Sequence, residues 1–282
     1  MNIKINVGGV VCKIDSDNEV INLIKEKCID FLTNEGEDFF LKIEFGEEIE
    51  IKEVVNKNGQ VVELSEEREK IYDKKDYYFI NCNLFYGNLY FNGGNFIIRY
   101  NKSYLWLIVR NLLRACYSLI IFNKNGFLMH GSCVICENKA YLFCGKPGAG
   151  KSTVAKLSNR KVLSDETLII KELNDHILVY GTPFGGELKP LNEKETLNKI
   201  FFLIQDKKTY FEKLGLAEKI SEFMQHEFLS YTIFFNENKE LSKSIFRKVY
   251  NLLKKVECYN MYFAKENNLI ERVEEIDNKN KQ

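Results

Sequence analysis

Three prolines, three histidines and one tryptophan are few for a chain of 282 residues. The composition leans instead to Lys, Asn, Ile and Phe, a bias closer to an AT-rich coding sequence than to a physical adaptation. Net charge is also missing. Forty basic and forty acidic side chains cancel, with a pI near 6.8. No global field therefore draws the chain to nucleic acid or to an anionic membrane, and neither is expected as a partner. Long apolar runs are absent too. The most apolar stretch, Leu105 to Phe122, is interrupted by Arg110 and Arg114 and is short for a bilayer, so it reads as a buried or amphipathic helix. Met1 to Val7 alternates apolar and polar residues with no basic head or cleavage site, which leads us to expect a cytoplasmic protein whose eight cysteines are reduced. Cys133 and Cys136 make a C-x-x-C, but no second Cys or His pair stands near to complete a metal site. Their odd spacing in a strand-like run places them on opposite faces. What is present is ordinary globular material: 45% hydrophobic and 28% charged residues, enough for a sizeable core in one large domain or two smaller ones.

The front of the chain reads as mostly strand. Residues 2–7 and 10–14 form two short strands around Gly8-Gly9, and a helix follows over Asp17 to Leu32. Strands are expected at Phe39 to Phe45, Glu48 to Val55 and Val61 to Leu64, with a turn at Asn56 to Gly59. The aromatic-rich run Tyr77 to Tyr100 reads as a sheet core, broken into hairpins at Gly87-Asn88 and Asn92-Gly93. Ser103 to Phe122 is a helix, closed by a turn over Asn123 to Gly126. Phe127 to Ile135 then reads as one strand, Glu137 to Lys139 as a tight turn and Ala140 to Cys144 as a second strand. Helical patterns dominate from Asn192 to Val256, with short strands at Tyr231 to Phe235 and Ala264 to Val273. Asp277 to Gln282 is polar and reads as frayed. The fold class is thus mixed α+β or α/β. A β-rich N-terminal part, residues 1–120, ends in a helix and is a candidate for substrate or partner recognition. A second domain follows over 121–282.

Gly145-Lys146-Pro147-Gly148-Ala149-Gly150-Lys151-Ser152 matches G-x-x-x-x-G-K-[ST] at every fixed position. An apolar strand precedes it, and Thr153 to Leu157 can continue as a helix. Glycines let successive backbone N–H groups converge on phosphate oxygens without a Cβ clash, and the helix start adds partial positive charge. Lys151 brings a mobile cation to the β- and γ-phosphates, and Ser152 offers a hydroxyl to magnesium. Gly145, Pro147, Gly148, Ala149, Gly150, Lys151, Ser152 and Thr153 are therefore the expected nucleotide contacts, with ATP or another nucleoside triphosphate and Mg2+ as the cofactors. An acidic metal partner is also required. Val162-Leu163-Ser164 reads as a short strand ending in Asp165-Glu166, which follows the loop so closely that the intervening helix must be short. Such a pair can divide metal holding from proton acceptance. Asp165 is assigned the proton of the acceptor hydroxyl, and Glu166 supports the metal beside Ser152. His130, one hairpin upstream, is suited to phosphate contact or proton transfer. His176 and His226 have no such context. Gly181-Thr182-Pro183-Phe184-Gly185-Gly186-Glu187 either walls an acceptor pocket or is a structural loop.

The run His130-Gly131-Ser132, the hairpin, the glycine loop and the early Asp165 together resemble the C-terminal catalytic domain of HPr kinase/phosphorylase, which shares its nucleotide core with phosphoenolpyruvate carboxykinases. The likeness covers roughly residues 125–205. The family has Asp-Asp where this chain has Asp165-Glu166. The Gly- and Arg-containing stretch that serves the phosphorylase reaction is not found, so the resemblance implies a kinase alone. The whole chain is similar to the shorter HPr-kinase-like proteins of peptide-modification clusters, including lasso-peptide precursor kinases. That likeness implies phosphorylation of a Ser in a peptide or protein, and a homo-oligomer by analogy. Two alternatives stay open from the residues themselves: a nucleotide-binding scaffold or switch without phosphoryl transfer, and a kinase of a small hydroxyl metabolite such as free serine.

Overall fold

The computed structural model describes the chain except for residues 50–53, 56–60, 64–69, 75, 227–238, 265–268 and 280–282. It is a mixed α/β protein with two large mixed sheets and, among the described residues, six α-helices. The chain divides into two compact units, Met1–Ile120 and Ile121–Leu229 with Lys239–Gln282.

In the first unit, β1 (Asn2–Val7) and β2 (Val10–Asp15) form a hairpin whose two-residue turn, Gly8-Gly9, has both φ angles positive, a conformation glycine adopts without strain. Helix α1 (Asn18–Lys27) and a 3-10 turn at Ile29–Phe31 cross over to β3 (Phe39–Glu48), which pairs with β2 in parallel. The minor strands β4 (Val54–Val55) and β5 (Val61–Glu63) pair with each other. Strands β6 (Lys70–Asp73), β7 (Tyr77–Asn81), β8 (Phe85–Tyr90) and β9 (Gly93–Tyr100) complete a seven-stranded sheet in the order β1-β2-β3-β9-β8-β7-β6. Gly87-Asn88, expected as a turn, lies inside β8, and the chain reverses at residues 82–84 instead. The reason is close approach. A Cβ on Gly87 would stand 2.2 Å from the Asn95 carbonyl and 2.6 Å from the Phe96 ring, so this glycine makes room for β9 rather than bending the chain. The turn at Asn56–Gly59 lies outside the described residues, as does the middle of the strand expected over Glu48–Val55, residues 50–53.

Helix α2 (Leu105–Asn123), preceded by a 3-10 turn, is apolar and long enough to cross a membrane by composition, yet 72% of its apolar window is buried in the protein. Fully buried Tyr117 shows what it does: its hydroxyl donates to the carbonyl of Ile5 or Val10, each 3.2 Å away in the β1–β2 hairpin.

The second unit begins with β10 (Gly126–His130), β11 (Ser132–Cys136) and β12 (Lys139–Cys144). The single strand expected over 127–135 is thus two, broken at Gly131. There the N–H donates to the Glu166 carbonyl at 2.9 Å, and a Cβ would press at 3.1 Å on both Leu142 and the Phe143 carbonyl. The break moves the chain from one pairing set to another: β10 pairs with β14 (Thr167–Leu173), while β11 pairs with β12 and with β13 (Lys161–Ser164). Glu137 and Asn138 both have positive φ, the signature of the tight hairpin turn expected there. Short helix α3 (Lys151–Leu157) precedes β13. Strands β15 (His176–Gly181), β16 (Lys194–Gln205) and β17 (Tyr210–Lys213), helices α4 (Leu216–His226) and α5 (Lys239–Lys255), strand β18 (Glu257–Phe263) and helix α6 (Leu269–Lys279) complete the unit.

The helical reading of 192–205 is wrong. Those residues contain β16, the strand on which the sheet is built. It pairs antiparallel with β15 at its start, then parallel with β18 on the same edge, and parallel with β12 on the other. Of the strand expected at 264–273, residues 269–273 begin α6 and 265–268 lie outside the described residues, while β18 ends at Phe263; Tyr231–Phe235 also falls outside the described residues. The core packs one aromatic ring from each of three neighbouring parallel strands: Phe143 stacks on Phe201 at 5.4 Å, and Phe201 on Tyr259 at 5.7 Å. Val154 of α3 and Leu269, Ile270 and Val273 of α6 cover this face. Cys136 belongs to this cluster. Burial pushes the thiol pKa of both Cys133 and Cys136 well up.

Candidate functional site

Strand directions bring the chemistry to one edge. β12, β16 and β18 are parallel, and β13 runs with them because each of the pairs β12–β11 and β11–β13 is antiparallel. Their C-terminal ends therefore lie together, the usual place for ligands in sheets with parallel strands. β12 ends at the glycine loop, β13 at Asp165-Glu166, and β11 begins beside them at His130-Gly131. β15 runs back to the same end and delivers Gly181 and the turn after it. A cavity of about 380 Å³ is lined there by His130, Pro147, Gly148, Gly150, Lys151, Ser152, Thr153, Asp165, Glu166, Gly186 and Glu187. Two expected contacts stand outside this lining. Gly145 is buried at the seam with β16, where a Cβ would sit 3.3 Å from the Leu203 carbonyl, and Ala149 closes a turn by donating its N–H to the Lys146 carbonyl at 2.9 Å.

The loop's glycines are required by its shape. Gly148 has φ +80° with open space where a side chain would stand, and Gly150 has φ +113° with the Phe263 ring 2.5 Å from the place of a Cβ. Phe263 ends β18, so the neighbouring strand presses on the loop from behind. Gln205, at the end of β16, holds the Gly148 carbonyl at 2.8 Å. The helix starts at once: Val154 N–H donates to the Gly150 carbonyl at 2.9 Å. Lys151 is buried, and its ammonium donates to the carbonyls of Gly145 and Lys146. Ser132 is wholly buried, and its hydroxyl donates to the Lys151 carbonyl at 2.9 Å, fixing the first residue of α3 to β11. Ser132→Ala removes that bond from a dry site. The expected result is a loss of about 1 kcal/mol, read in a thermal melt as a fall of about 2–4 °C.

Asp165 is 3% exposed. Its carboxylate accepts three consecutive backbone N–H groups, from Gly186 at 3.2 Å, Glu187 at 3.1 Å and Leu188 at 3.3 Å. Glu166, next to it, is half-buried and held by its main chain, with its N–H on the Ser164 hydroxyl at 3.4 Å and its carbonyl receiving Gly131. A Cβ on Gly186 would stand 3.1 Å from a Glu166 carboxylate oxygen and 3.2 Å from one of Asp165, so the turn passes directly over both acids. Glu187 also pairs with Lys156 of α3, and this hydrogen bond raises the Lys156 ammonium above its ordinary pKa. The 181–187 run thus walls the cavity and is also tied structurally. Buried Thr182 donates to the Thr167 carbonyl at 2.8 Å. His176 lies exposed at the start of β15, outside the cavity lining, and His226 ends α4.

Reading residues alone missed Gln205, Phe263, Lys156 and the three N–H groups on Asp165. Gln205 and Phe263 end strands that the sequence did not announce, and backbone donors leave no mark in a sequence. No family model matches the chain, and no curated protein matches it.

Proposed function

We propose that this chain is a P-loop phosphotransferase of the HPr-kinase-like kind, moving the γ-phosphoryl group of ATP to a serine hydroxyl of a peptide or protein. The observation that carries the reading is the convergence, in one cavity, of the glycine loop with Lys151, Ser152 and Thr153, of His130, and of Asp165 with Glu166. Gly148 leaves open space for phosphate oxygens just before the start of α3, where the helix dipole favours an anion. The donor set fits magnesium, a hard cation that takes few protein oxygens beside those of the phosphates. Ser152 and the acidic pair would hold it, and it would neutralise charge on the transferring group. Lys151 moves from its own loop carbonyls to the β- and γ-phosphates. His130 contacts the transferring phosphoryl group. Catalysis is then positioning plus charge neutralisation.

The acceptor is expected beside the 181–187 turn, which with His130 forms the wall facing the loop. The test is incubation with ATP and magnesium of Ser-containing peptides, including any precursor encoded beside the gene, followed by mass spectrometry. The expected result is one added phosphate on a serine, absent when Lys151 is replaced. Transfer to free serine alone would move the acceptor to a small metabolite. Tight nucleotide binding with no transfer to any acceptor would favour a scaffold or switch.

A further inference from the structure

We infer that Gln205 is a positioning residue of the glycine loop: from the end of β16 it clamps the peptide between Gly148 and Ala149 and holds the Gly148 carbonyl away from the phosphates; this rests on the nucleotide-binding reading above. Lys146-Pro147-Gly148-Ala149 is a tight turn with the residue pattern of type II. Proline presets the second position, Gly148 has φ +80° at the third, and the Ala149 N–H closes the turn on the Lys146 carbonyl at 2.9 Å. The carbonyl of that same peptide, on Gly148, accepts from the Gln205 amide at 2.8 Å. One peptide is thus held at both ends, by the loop itself and by a strand outside the loop's motif.

Gly148 needs such a hold. It has open space where a side chain would stand, and without a Cβ its backbone turns freely. Rotation of the peptide would break the Ala149 bond and swing a carbonyl oxygen, a negative dipole end, toward the space left for phosphate. Gln205 does not line the cavity, so the carbonyl it holds is drawn away from it. The anchor itself is firm. Gln205 pairs with Phe263 across β16 and β18, and the next residue, Asp206, donates its N–H to the Phe263 carbonyl at 3.0 Å. The Phe263 ring is the one that stands against Gly150, so a single cross-strand pair supports the loop at both Gly148 and Gly150. The demand on the clamp is greatest when nucleotide binds. The Lys146 carbonyl receives both the Ala149 N–H at 2.9 Å and the Lys151 ammonium at 3.2 Å. Lys151 leaves for the phosphates, and the turn then keeps its shape through the Ala149 bond and the Gln205 clamp.

The experiment compares two variants with the wild type in the full chain. Gln205→Met keeps the length of the side chain and loses the amide; Gln205→Glu sets a carboxylate against the Gly148 carbonyl. Two quantities are read: amide hydrogen exchange of Ala149 in the free protein, and magnesium–ATP affinity by calorimetric titration. Loss of one hydrogen bond should speed Ala149 exchange and weaken ATP binding by about 3–10-fold each in Gln205→Met, and by more in Gln205→Glu. The melting temperature should stay as in the wild type, because the Gln205 side chain is exposed and a general loosening of the fold is not expected. The inference is overturned if Ala149 exchange or ATP affinity is unchanged in both variants, or if the loss of affinity comes with a fall in melting temperature. A wild-type chain that binds no triphosphate overturns the nucleotide reading and the positioning role with it. Triphosphate binding that is indifferent to Gln205 overturns the positioning role alone.

Discussion

Lys151→Met is expected to weaken magnesium–ATP binding by about 10²-fold or more, with little change in the melting temperature of the free protein. In the free protein the ammonium rests on two carbonyls of its own loop, Gly145 and Lys146, and the side chain is buried. Binding exchanges those neutral partners for anionic phosphate oxygens. Hydrogen bonds to charged groups contribute about 1.5–3 kcal/mol each, and two of them lost correspond to at least about a hundredfold in affinity. Methionine keeps the length and apolar bulk of the stem, so the loop loses its cation and little of its packing. Calorimetric titration of the variant beside the wild type checks the figure, and a thermal melt checks that the fold is intact.

Gly181→Ala is expected to give the largest loss of stability, about 1–3 kcal/mol or more, a fall in melting temperature of roughly 3–10 °C. A Cβ there would stand 2.0 Å from the Leu191 carbonyl and 2.9 Å from the Leu163 carbonyl. Both are backbone atoms, and neither can turn aside as a side chain would. The same three strands of chain are laced by hydrogen bonds at 3.0 Å, from Gly181 N–H to the Glu193 carbonyl and from Leu191 N–H to the Leu163 carbonyl. Leu163 lies two residues before Asp165, and Gly181 opens the turn that Asp165 holds. Whatever shifts to admit the methyl group must shift the acids or their wall. Phosphoryl transfer should therefore fall with stability, and a melt with an activity assay on one preparation reads both.

The glycine loop, the lysine, the acidic pair and His130 were legible because each belongs to a short local pattern with a strand or turn beside it. A β-rich front over 1–120 followed by a second part was the expectation, and the chain divides into two compact units between Ile120 and Ile121. The frame that gathers the site did not. β16 contains the buried apolar run Ile200–Leu203, covered on both faces, so it has no alternation to separate it from a helix. Its partners β12 and β18 lie far away in sequence, and only pairing reveals that Phe263 backs Gly150 and that Gln205 holds Gly148. Gly87 and Gly131 misled in opposite directions. One looked like a turn and is a close strand crossing. The other was read as part of one continuous strand and is the point where the chain changes partners to set His130 beside Glu166. A glycine's role depends on what lies across from it, which the local sequence does not contain.

The most direct test of the account is a calorimetric titration of the purified chain with ATP, with and without magnesium, against AMP and against Lys151→Met. The account predicts saturable binding of one triphosphate per chain that is strengthened by magnesium, absent with AMP and lost in the variant. A chain that binds no triphosphate, or a Lys151→Met variant that binds as tightly as the wild type, would contradict it.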